Sequence, residues 1–85
     1  MPKKTTTPAQ DKARARLRGR LAELEILHED LAAQCGVSRA TVTRLLREGY
    51  PASPHWVADL VRVLRITPED RELMDAAAAS VRVPF

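Results

Sequence analysis

Apolar positions along this chain recur at the spacing of helices, not strands. Leu17, Leu21 and Leu24 fall at i, i+4 and i+7, one stripe of a helix that the pattern starts at Asp11. Residues 12–18 alternate small or apolar with basic side chains, which imitates a strand, but Ala, Arg and Leu are strong helix formers and decide for helix. Gly19 inside it costs about 1 kcal/mol relative to alanine. A second short helix is predicted over Glu29 to Cys35, with Leu31, Ala32 and Cys35 inward and Gly36 as the left-handed stop. Ser38 then caps a third, running to Glu48 before Gly49. After the loop Gly49-Tyr50-Pro51-Ala52, Ser53-Pro54 opens a fourth, with Trp56, Val57, Leu60, Val61 and Leu64 on its apolar stripe. Thr67-Pro68-Glu69-Asp70 repeats that start signal, and its acidic residues suit a helix N-terminus. The fifth helix presents Leu73, Met74, Ala77 and Val81, and Val83-Pro84-Phe85 cannot continue it. Residues 1–10 (MPKKTTTPAQ) have no periodicity and read as a flexible basic arm. The expectation is one all-α, five-helix domain over residues 11–82 behind that arm.

Composition narrows the function. The chain has 85 residues, 45% hydrophobic, 29% charged and 4% aromatic, room for one small domain and none for a large catalytic cleft. No nucleophile–base set, paired carboxylates or glycine-rich phosphate loop stands on a framework able to hold it, so no enzyme is expected. The single cysteine, Cys35, excludes an internal disulfide and suits a reducing compartment. His28, Cys35 and His55 lack zinc-ligand spacing, so neither a metal nor a cofactor is expected. No apolar run reaches the roughly 20 residues of a membrane span, and no signal peptide follows Lys3-Lys4, so the expected location is the cytoplasm.

The net charge of +3 is unevenly placed. Residues 1–20 carry seven basic side chains against one acidic, a net of +6; residues 21–37 carry −4, and residues 38–49 return to +2. Basic clusters of this kind bind polyanions.

One segment carries a functional motif. Residues 28–46 (HEDLAAQCGVSRATVTRLL) read as two short helices joined by a tight turn. Ala32 is small where the next helix crosses, Gly36 supplies positive φ, and Val37, Val42 and Leu45 fill the space between. The small residue, the glycine four places on and the β-branched residue six further resemble the helix-turn-helix of the Cro and lambda-repressor family. The layout agrees, with one helix before the motif and two after it, over roughly residues 11–80. The resemblance implies a lambda-repressor-like fold, a bacterial or phage origin, and sequence-specific binding of double-stranded DNA by a transcriptional regulator, a repressor.

Within the third helix, residues 38–48, the faces separate. At 100° per residue with Arg39 at zero, Thr43, Arg47, Ala40 and Arg44 follow within about 140°, while Val42, Leu45 and Leu46 fill the other sector. The outward face has no acidic residue. Such a helix suits the major groove, where arginine donates two hydrogen bonds to guanine and a methyl group meets thymine. The resemblance implies base contacts from Ser38, Arg39, Ala40 and Arg44. Thr43 and Arg47 are expected on phosphates, as are Lys3 and Lys4 from the arm. The family has a Ser or Thr cap and then a phosphate-binding Gln before its second helix; here Leu27 and His28 stand in those places. The cap is therefore missing, and His28 becomes a phosphate contact whose charge changes near neutral pH. Trp56 belongs to the core by its spacing with Leu60 and Leu64.

The apolar residues of the fifth helix, with Val83 and Phe85, exceed what a monomer needs, and the family resemblance implies that this end pairs across a two-fold axis, a homodimer through the C-terminal helix on an inverted-repeat target. With no ligand domain expected, regulation is expected through protein concentration, proteolysis or a regulatory protein partner. Two other readings remain: an antitoxin or autoregulator that binds a partner protein as well as DNA, and an interaction module that has lost DNA binding. The outward arginines weigh against the second.

Overall fold

Thr7 starts the first helix, earlier than apolar spacing places it. In the computed structural model, which describes residues 6–51 and 53–81, α1 spans Pro8–Leu24. The Thr7 hydroxyl accepts the Gln10 N–H at 3.1 Å, the Gln10 side-chain oxygen accepts the Thr7 N–H at 3.0 Å, and Pro8 occupies the first helical position. The expected boundary between arm and helix at residue 11 is therefore corrected: residues 8–10 are helical and Gln10 is buried. The apolar stripe hid this start because a polar residue holds its first inward position. The expectations for Lys3 and Lys4 lie outside the described residues.

The other helices are α2 (His28–Cys35), α3 (Arg39–Glu48), α4 (Val57–Leu64) and α5 (Pro68–Val81). The chain is all-α, with no strand among the described residues. Pro54–Trp56 form a 3-10 turn ahead of α4, so the α-helix begins later than the Ser-Pro signal indicates. Ser53 makes no cap to the backbone; its hydroxyl meets His55 Nδ1 instead.

Leu17 and Leu21 of α1, Leu31 of α2, Val42 and Leu45 of α3 and Leu60 and Leu64 of α4 meet in one core, with Trp56 among them. Val57 and Val61 are half-buried at its margin. Gly36 ends α2 at φ 68°, and the Val37 N–H turns back to the Ala32 carbonyl at 3.0 Å, which sets α3 against α2 over the buried Ala32. α1 packs most extensively along α5. Their ends are joined where the Thr7 and Ser80 hydroxyls lie 2.7 Å apart.

α5 differs from its sequence reading in one respect. Met74 and Ala77 enter the core, but Leu73 is half-buried and Val81 is exposed, past the Ser80 contact with α1. The inward row begins instead with Asp70, only 1% exposed. The apolar surplus described for this helix is thus reduced to Val81 and part of Leu73, with Val83 and Phe85 outside the described residues.

Candidate nucleic-acid interface

α3 begins on Ser38, whose hydroxyl accepts the Thr41 N–H at 3.1 Å and shares a second bond with the Thr41 hydroxyl at 2.9 Å. From that start the two faces run as the spacing requires. Val42, Leu45 and Leu46 are buried, while Ser38, Arg39, Ala40, Thr43, Arg44 and Arg47 are all exposed. Arg47 Nε lies 3.5 Å from a Glu48 carboxylate oxygen. Among the described residues Arg39 and Arg44 enter no ion pair, so their guanidinium donors are left to solvent or a ligand.

Side chains from α1 hold the other end of α3. Gln10 Nε2 donates to the Glu48 carbonyl at 3.0 Å, and Arg14 Nε reaches the Leu46 carbonyl at 3.4 Å. Both carbonyls belong to the last turn, where a helix leaves acceptors unpaired. Gly49 then caps α3 at φ 87°, and a Cβ there would meet the Gln10 carbonyl at 3.1 Å and Ala13 Cβ at 3.2 Å. Glycine is required by both backbone angle and close packing. The arginine face is therefore presented by a helix fixed at both ends.

α2 starts on Leu27 with no side-chain cap, as its sequence indicates, and Leu27 is 63% exposed. His28 is also exposed. A groove of about 690 Å³ separates the end of α1 from the starts of α2 and α3. Leu21, Ile26 and Leu27 line it, together with Arg18, His28 and Arg39 from three different helices and the carboxylates of Glu25 and Glu29. His28 and Arg39 are thus brought to one groove. Arg18 joins them there, although the sequence marks it only as part of a basic run.

That basic run does not form a single patch. Arg20 Nη2 sits 2.9 Å from Asp70 Oδ2, and Arg16 Nε 3.2 Å from Asp70 Oδ1. The Arg16 approach is off the line of a hydrogen bond, so Oδ1 has a cation beside it but no donor. The Thr67 N–H also donates to Oδ2, at 3.1 Å. Burial opposes the ionised carboxyl, but the Thr67 N–H and the Arg20 guanidinium outweigh it and hold Asp70 below the ordinary carboxylate range. Arg14 is likewise turned to Asp11, at 3.4 Å. The Thr-x-x-Asp spacing of residues 67–70 was the available signal for a capping role; nothing local in the sequence announces its two arginine partners.

Cys35 is buried against the core, and burial, with the Asp59 carboxylate adding to it, pushes its thiol above the usual value. This suits a small packing residue and not a reactive one. No helix among the described residues is long and apolar enough to cross a membrane.

Residues 13–74, from the second turn of α1 to the middle of α5, match a family model described as a helix-turn-helix domain. No curated protein and no solved structure matches the chain.

Proposed function

The chain belongs to that helix-turn-helix domain family, and from this premise we propose that it binds double-stranded DNA sequence-specifically as a lambda-repressor-like transcriptional repressor, with α3 as its recognition helix. The observation that carries the reading is the outward face of α3. It bears Arg39, Arg44 and Arg47 with no acidic side chain between them, and two of the three make no ion pair among the described residues.

In this reading α3 lies in the major groove. Arg39 and Arg44 reach base edges, the Ala40 methyl meets thymine, and Ser38 sits where the helix start meets the bases. Thr43, Arg47 and His28 bind phosphates, and Lys3 and Lys4 add further phosphate contacts. Two copies paired through the C-terminal helix occupy an inverted repeat with half-sites about one helical turn apart, blocking access of polymerase. No catalytic step is involved, and regulation comes through protein concentration, proteolysis or a partner protein.

Selection of bound fragments from random duplex DNA, read at two salt concentrations, tests this. Enrichment of one inverted repeat is expected; binding that is indifferent to sequence at both salts contradicts it. Sedimentation at micromolar concentration, with and without the selected DNA, tests the dimer: a monomer in both removes it.

A further inference from the structure

We propose that Arg18, on α1, is a DNA-backbone contact, and that the groove between α1, α2 and α3 extends the phosphate-binding surface beyond the helix-turn-helix itself. The inference rests on the DNA-binding reading above and adds to it a residue that lies outside the motif.

Three cationic or titratable side chains, Arg18, His28 and Arg39, come from three helices to line one groove. Such convergence does not follow from their spacing in the chain. Arg18 is exposed and, unlike its neighbours Arg16 and Arg20, makes no ion pair among the described residues. The fold draws those two onto Asp70 and leaves Arg18 lining the same groove as Arg39, which stands on the first turn of the arginine-bearing helix. A DNA strand passing the start of α3 would therefore run beside Arg18.

The groove also contains Glu25 and Glu29, whose charges offset those of Arg18 and Arg39. A compact free anion gains little in such a groove. An extended backbone in contact with DNA bases elsewhere is different, since it can lie along the cationic side while α3 supplies the anchoring. The carboxylates then act as brakes: removing one strengthens the hold on phosphate. This separates the proposal from a plain surplus of surface charge.

The test uses the full chain and two fluorescent duplexes, the preferred site from the random-DNA selection and an unrelated sequence, titrated across a salt series. Arg18→Gln is expected to weaken both several-fold at low salt and to lower the salt slope on the preferred site by about 0.9, the value for one phosphate. The preference between the duplexes should stay within about two-fold of the unaltered chain. Glu25→Gln is expected to tighten both by about two-fold. Arg71→Gln, in a separate groove beside Tyr50 and Met74, should leave the slope unchanged. Equal slopes for Arg18→Gln and the unaltered chain overturn the proposal while leaving DNA binding by α3 intact. An equal loss from Arg71→Gln also overturns it, because total charge would then set the slope. If the unaltered chain binds neither duplex, the DNA-binding reading fails and this inference with it.

Discussion

The Gln10 side-chain amide donates to the Glu48 carbonyl at 3.0 Å, tying the first turn of α1 to the last turn of α3. The same side chain closes the capping box on Thr7, so one buried amide sets both the start of one helix and the end of another. Gln10→Ala removes both bonds and leaves the Thr7 N–H and the Glu48 carbonyl without these partners. A loss of about 1–3 kcal/mol is expected in urea unfolding. Gln10→Glu keeps the cap acceptor but sets a buried carboxylate against the Glu48 carbonyl and, at 3.4 Å, the Glu48 carboxylate, and should be at least as unstable as Gln10→Ala. Equal stability of all three chains would contradict the tie.

The three glycines should rank in a fixed order. Gly49→Ala combines a left-handed backbone with contacts near 3.1 Å and should be the most damaging. Gly36 is left-handed at φ 68° but has open space for a Cβ, so alanine there should cost about 1–2 kcal/mol. Gly19 lies within α1 at an ordinary helical angle with nothing within 4 Å of an added Cβ. Gly19→Ala should stabilise by about 0.5–1 kcal/mol. Thermal melts of the three variants check the order.

Asp70 makes stability depend on pH at the acid end. Its folded pKa is depressed, so its contribution is fully present above the unfolded carboxylate value of about 3.9 and is lost as pH falls through the lower folded value. The melting temperature of the unaltered chain should therefore drop below about pH 4 more steeply than that of Asp70→Asn. Near neutral pH the same substitution should cost about 1–3 kcal/mol, moderated because Arg16 is half-exposed and can return to water. Parallel pH–melting curves for the two proteins would contradict the assignment.

Much of the architecture is legible in sequence because each helix start and stop is a local signal. Ser38, Gly36, Gly49 and Thr67 cap or end helices where their side chains and backbone angles require. Thr7-Pro8-Ala9-Gln10 carries the same type of start signal as Thr67-Pro68-Glu69-Asp70, yet no apolar periodicity draws attention to it. The inward roles of Gln10 and Asp70 are less legible, since a polar residue in a helix is first read as solvated. Their partners lie 38 and 50 residues away, and only the packing of α1 on α3 and α5 brings them together. The same packing divides the basic run, directing Arg16 and Arg20 to Asp70 and Arg18 to the groove.

The first helix starts earlier than the composition of residues 1–10 indicates, and this changes the experiment that probes Lys3 and Lys4. Deleting residues 2–9 would remove Thr7 and the first helical residues with the lysines, so a fall in affinity would not isolate charge. Replacing Lys3 and Lys4 together by alanine leaves the capping box in place. The expected result is an unchanged melt with a salt slope lower by up to about two units. An unchanged slope would make the segment a solubilising tail.

Whether α3 reads base edges is decided by comparing Arg44→Ala with Arg47→Ala on the selected site and on its single-base-pair variants. Arg44→Ala should cost about 1–3 kcal/mol on the preferred site and erase the preference at one base pair. Arg47→Ala should weaken all duplexes alike and lower the salt slope by about one unit. Unchanged specific binding by both variants would contradict the account, since the outward face of α3 would then not be the face that meets DNA.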